Sequence, residues 1–179
     1  VMGDGSITMG GVTVASKHII FKEKDLDAVN GTFTVADIMD PTKTLFKGEN
    51  LDVHYDVNNH HSDFTSTTTG EPNSDFPSQH FKTSLGKGTY DKAGNFVHLE
   101  SLSVKNGDNY FVSTDPAMDS LNFMAQTAYY NFSTQEIVID SVPYIFVADA
   151  KITPEGKHVV IENTGKVQKL GGAKIEADQ

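Results

Sequence analysis

The chain has 179 residues, a length that suits one domain or a closely packed pair, and 37% of them are hydrophobic, 21% charged and 9% aromatic. All 14 basic residues are lysine, set against 24 acids for a formal net charge of -10, and arginine, tryptophan and cysteine are absent. A chain without the rigid guanidinium fork and with an acidic balance is repelled by phosphate backbones, so nucleic acid is excluded as a partner, and the lack of cysteine removes disulfides, thiolate catalysis and zinc fingers together.

In chain order, short alternating runs rich in Val, Ile, Thr, Phe and Tyr recur between clusters of Gly, Asn, Asp and Pro. No run of ten residues carries a helical apolar stripe. The pattern predicts strands over residues 7–15, 17–21, 31–37, 44–47, 51–57, 60–67, 80–90, 96–105, 109–113, 122–132, 136–140, 144–152, 158–163 and 173–177. The 17 threonines suit a pleated, half-exposed surface. Turn chemistry falls between the runs, at 57–60, 91–95, 106–108 and 154–157. The polar, proline-bearing stretch 70–77 is the best candidate for a place where two halves of a single all-β domain meet, near 70–79, or for a long surface loop. No apolar run approaches the ~20 residues of a membrane-spanning helix. The opening Val1-Met2-Gly3-Asp4-Gly5 has no signal-peptide character, and a start on valine reads as a fragment of a longer protein.

A repeat runs through the middle. Phe46-Lys47 precedes Tyr55-Asp56 by nine positions, Phe81-Lys82 precedes Tyr90-Asp91 by nine, and a shortened unit follows with Phe123 and Tyr129-Tyr130-Asn131. Each unit reads as strand, Tyr-Asp or Tyr-Asn, turn, strand. The start-to-start spacings of 35 and 42 residues are those of hairpin units and not of a strict solenoid.

Few motifs carry chemistry. His54, Asp56, His60, His61 and Asp63 form the densest histidine cluster; His54 and Asp56 share a strand face, and the turn at Asn58-Asn59 can fold His60 or His61 back toward them. The alternative is a solvated hairpin tip. Ser84 to Thr89 is no phosphate loop, because Gly88 separates Lys87 from Thr89 and a strand follows. Asp115 and Asp119 flank a short turn, and Asp149 interrupts an apolar run, with outward placement or a bulge as its simpler reading. No catalytic residue and no cofactor is expected. Aromatic residues at Phe46, Tyr55, Phe81, Tyr90, Phe123 and Tyr130 line one face of a roll, whose interior is either a packed core or a groove for acyl chains.

The segments FKTSLGKGTYDKAGNFVHLESLSV, LNFMAQTAYYNFSTQEIVIDSV and GKVQKLGGAKIEAD, within residues 81–178, resemble hairpin units of the OstA-like (LptA-type) organic-solvent-tolerance family. The segment VPYIFVADAKITPEGKHVVIENTGKV is also similar to repeated β units of Bacteroidetes envelope proteins. The resemblance covers about half the chain. It implies a twisted β-jellyroll, or β-taco, with an apolar interior, and a role in moving lipopolysaccharide across the periplasm by copies that stack through open edge strands. On this chain the implied apolar contacts are Phe46, Phe81, Phe123, Ile137, Ile139, Ile145 and Val147. The charge of -10 disfavours a phosphorylated headgroup and leaves an acyl groove or scaffolding.

The sequence is thus expected to form an all-β roll or jellyroll of hairpin repeats. It would act as a non-enzymatic structural or lipid-binding module of the cell envelope: periplasmic, outer-membrane-associated or secreted. Its expected partners are a lipid or acyl ligand and other β modules, or further copies of itself, docking through edge strands. A carbohydrate-binding or adhesion sandwich is the first alternative, in which tyrosine replaces the missing tryptophan. A metal-dependent hydrolase using the His54–Asp63 cluster is the second.

Overall fold

The structure is a computed structural model that describes residues 2–103, 105, 107–118, 121–147 and 150–177. Four long strands, β1 (Met2–Met9), β2 (Val12–Phe21), β3 (Asp25–Ala36) and β4 (Thr44–Asp56), form an antiparallel meander. The last three of them are bent across their middles. Pairing of β2 with β3 jumps from Ala15↔Thr32 to His18↔Val29, and β3 against β4 shifts register between Ala28 and Phe33. Asn30 and Asn50 hold φ of 46° and 54° at this crease, a conformation asparagine tolerates better than most residues. Gly31 is needed beside them, since a Cβ there would lie 2.6 Å from the carbonyl oxygen of Ala15.

From β4 onward the sheet divides into two layers. The C-terminal half of β4 leads into layer A, through β5 (His61–Ser66), β8 (Lys87–Asp91), β9 (Phe96–Glu100), β12 (Thr127–Asn131), β13 (Glu136–Asp140) and β16 (His158–Ile161). Its N-terminal half leads into layer B, through β6 (Ser74–Phe76), β7 (Phe81–Thr83), β10 (Tyr110–Ser113), β11 (Asn122–Met124), β14 (Ile145–Val147), β15 (Ala150–Thr153) and β17 (Lys174–Ala177). The chain alternates between layers hairpin by hairpin. The result is all-β, a single antiparallel sheet folded into a jellyroll-like roll and not closed into a barrel. No helix among the described residues is long and apolar enough to cross a membrane.

The layers face each other across an aromatic seam. Phe33 on the layer-B side of β3 lies 5.4 Å from Phe64 and 5.6 Å from Tyr90 in layer A, ring centre to ring centre. Phe46 meets Phe64 at 5.8 Å, and Phe76 meets Tyr130 edge-on at 5.1 Å. Inward-facing residues of layer A form cross-strand rows, one of them Val53, Phe64, Gly88, Leu99, Ala128, Ile139 and Val159. Large and small alternate along that row so that the opposite layer can interdigitate.

The hairpin repeat is visible as geometry. Tyr55, Ser62, Tyr90, Val97, Tyr130 and Ile137 form a second inward row, so the three repeat tyrosines stand in register two strands apart. Each is followed by an Asp or Asn that accepts backbone N–H groups of its own turn. Asp56 takes those of Asn58 and Asn59, Asp91 that of Gly94, and Asn131 those of Ser133 and Thr134. Each turn ends on a positive φ, at His60, Asn95 and Gln135.

Several predicted strands are divided differently. The run 80–90 is two strands in different layers, β7 and β8, separated by Ser84-Leu85-Gly86 at the crease; 122–132 breaks likewise at Ala125-Gln126. In contrast 44–47 and 51–57 belong to one bent strand, β4. The stretch 70–77 supplies β6, with Phe76 fully buried, and the sheet runs through it without a gap.

A Cβ on Gly88 would overlap the edge of the Phe64 ring at Cε2 and Cζ and press on Leu99, so Gly88→Ala should cost about 1–3 kcal/mol in urea unfolding. Gly171→Ala, which meets nothing within 4 Å, should stay within about 0.5 kcal/mol of the parent.

Candidate functional site

Six of the seven expected groove residues, Phe46, Phe81, Phe123, Ile137, Ile139 and Ile145, are buried to at least 97%, inside one contiguous core. Val147 lies elsewhere, with 42% of its surface exposed. The interior of the roll at these positions is filled by its own rings and aliphatic side chains, for example Phe111 against Phe123 at 5.9 Å. Sequence periodicity finds which residues face inward, but it does not report how far apart two facing layers stand.

Open volume is found instead at the mouth of the roll, where the hairpin turns of layer A face the β1–β2 turn and the β3–β4 loop. A cleft of about 460 Å³ has Val35, Leu45, Tyr90 and Phe132 among its lining, and these four are at least nine-tenths buried. Ile38 and Met39, on the β3–β4 loop, rim it and are 73% and 92% exposed. A neighbouring hollow of about 440 Å³ shares Gly10, Ala36, Asp37, Ile38 and Lys92 with it. Exposed Ile and Met beside a buried apolar lining are the feature that sequence reasoning missed. The dipeptide Ile38-Met39 in an otherwise polar loop is the signal that marks it.

The cleft is framed by polar groups that tie the layers together. Gln135, at the tip of the β12–β13 hairpin, accepts a hydrogen bond from Lys43 Nζ at 2.9 Å through its side-chain oxygen, and its backbone oxygen accepts one from Gln79 Nε2 at 2.9 Å. Gln79 comes from the β6–β7 turn of layer B, so these bonds span the mouth. Tyr90, in the cleft lining, has its phenol pushed up to about 12 by burial, with smaller contributions from Tyr55 and Asp91. Burial raises Tyr130 further in the same direction.

The histidine cluster does not converge. His54, Asp56, His61 and Asp63 share the outer face of layer A, while His60 sits in the turn, and each engages a different partner. His60 turns to the Tyr55 hydroxyl at 2.9 Å, while His61 lies 3.7 Å from Asp63 and 3.5 Å from Asp91. Asp56 is engaged in capping its own turn. His54 bonds instead to Asp27 on β3, its register partner, at 2.7 Å. Of these five residues, His54 is the one whose ligand atom gathers with two others, and those two are Asp25 and Asp27 of β3. Asp115 caps the following turn by accepting from the Ala117 N–H, and Asp119 and Asp149 lie outside the described residues.

No protein-family model, curated protein or solved structure matches the chain.

Because the folded-state pKa of Tyr90 is raised above its unfolded value near 10, its contribution to stability is complete below pH 10. It is lost as pH rises through about 12. Tyr90→Phe should therefore flatten part of the alkaline fall in stability between those values, yet stay within about 1.5 kcal/mol of the parent at pH 7, read by urea titration at both pH values.

Proposed function

We propose that this chain is a non-enzymatic module of the cell envelope that holds an acyl chain at the mouth of its roll. The observation that carries the reading is the cleft lined by Val35, Leu45, Tyr90 and Phe132 and rimmed by Ile38 and Met39. Its size, about 460 Å³, is within the ~300–1,000 Å³ of small-molecule sites. Placing Ile and Met in water beside such a lining is unfavourable unless something apolar covers them. Lys92 and Asp37 border the cleft and offer one cation and one anion to a ligand's polar end.

The similarity of the hairpin units to OstA-like sequences supports the same reading, together with a periplasmic, outer-membrane-associated or secreted setting. The outer edges of β1 and β17 are the places where further β modules or copies would add strands.

A second reading, carbohydrate adhesion, is favoured by one feature of the outer face of layer A. Phe96 and Tyr129 stack at 5.0 Å there, near a polar depression lined by Asp63, Lys87, Thr89, His98 and Glu100.

Native mass spectrometry of the purified chain, before and after organic extraction, should show an acyl-sized mass excess that extraction removes. Ile38→Glu and Met39→Glu, both on an exposed loop, should weaken binding of a fluorescent fatty acid by about tenfold or more without lowering the melting temperature. A bare mass, with equal probe binding by parent and variants, would remove the acyl reading. Oligosaccharide binding lost in Tyr129→Ala would put the second in its place.

A further inference from the structure

We propose that the outer face of layer A carries a site for a divalent transition-metal ion, formed by Asp25, Asp27 and His54 and held in its metal-free state by Lys22. Asp25 and Asp27 are two residues apart on β3 and so point to the same face, while His54 on β4 is the register partner of Asp27. One ligand atom from each residue lies within 4.8 Å of the other two. One imidazole nitrogen and two carboxylate oxygens form a mixed set that suits zinc and its neighbours better than calcium or magnesium, which favour all-oxygen cages. Three protein ligands also leave a fourth position for water.

Two further observations mark the spot as one for a cation. Lys22 places its ammonium among the ligands, 2.5 Å from Asp27 Oδ2 and 3.2 Å from Asp25 Oδ1. His54 Nδ1 lies 2.7 Å from the other carboxylate oxygen, Asp27 Oδ1, so the Asp27 carboxylate already stands between two nitrogen groups. In addition, Asp25 Oδ1 is shielded from solvent yet receives no hydrogen bond of good geometry, and the ammonium at 3.2 Å is its ionic contact.

The lysine is a replaceable occupant. Its side chain is about half exposed and rises from the short β2–β3 turn, so it can swing into solvent. Exposed ion pairs of this kind are weak, and a divalent ion with three direct ligands should outcompete them. Exchange also balances charge locally: two carboxylates and one ammonium leave one negative charge, and two carboxylates with a dication leave none. The bound ion would pin the β2–β3 turn to β4, giving a structural site and requiring no chemistry of substrate.

The test is isothermal titration of the full chain with zinc chloride after chelator treatment, in a non-coordinating buffer. The parent should bind one equivalent and melt at a higher temperature when loaded. His54→Ala and Asp27→Asn should each weaken binding at least tenfold. Lys22→Met, which keeps the aliphatic stem and removes the competing charge, should tighten it by up to about tenfold. His61→Ala, which removes the other histidine flanked by carboxylates, should leave the affinity unchanged. A gain in Lys22→Met cannot arise from misfolding, so it separates the proposal from a general loss of structure. Absence of saturable binding in Lys22→Met, or binding that depends on His61 and not on His54, would overturn it.

Discussion

Everything in this molecule rests on contact between two faces of the same sheet. Each layer buries only one side, and a sheet this extensive gains stability only when that side meets another apolar surface. The chain supplies the second surface by creasing its own long strands at Ser16-Lys17, Asn30-Gly31 and Glu49-Asn50, so that β2 to β4 contribute to both layers. The rings that then meet, Phe33 with Phe64 and Tyr90, Phe46 with Phe64, and Phe76 with Tyr130, fix the spacing of the layers. Because rings fill the gap at the buried positions expected to line a groove, the open volume of the cleft is displaced to the mouth, where the turns diverge.

That displacement explains why the mouth combines apolar lining with polar ties. Turns at the tips of hairpins are polar by necessity, since their backbone groups need partners. Gln79, Gln135 and Lys43 use that polarity to hold the layers together. Between these ties, the β3–β4 loop carries Ile38 and Met39 into solvent. The outer face of layer A is organised differently: its rows mix His, Asp, Thr and Lys, and polar contacts such as the hydrogen bond between Asp140 and His158 and the ion pair of Lys87 with Glu100 run from strand to strand.

Much of the architecture was legible in the sequence, because period-2 alternation and Asx turns act locally. The spacing that links Tyr55, Tyr90 and the Tyr129-Tyr130 pair reports a real row, with Tyr130 as the member facing inward. What the sequence hides is which layer a strand joins. Residues 80–90 read as one strand, yet the chain changes layers at Ser84-Leu85-Gly86, where Ser84 bonds the backbone oxygen of Asp108 from a later crossing. The partner of the first histidine in the cluster is hidden for the same reason. The partner of His54 is set by the register of β3 on β4, a pairing across 27 residues that no local pattern announces.

Alternation between layers also bears on how such a chain lengthens. Each hairpin packs beside one that lies a full unit earlier, in the same layer, and meets the opposite layer through interdigitating side chains. Duplicating one pair of hairpins would therefore add a rung to both layers at once, leaving the cross-section of the core unchanged. Length along the roll is a quantity that copying or deleting whole units can tune, much as a ruler is cut to measure. Burial along one inward row of layer B falls from Ile145, which is 2% exposed, through the partly buried Ile152, to Ile175 at 66%. The last rung is where such growth would find a surface already prepared.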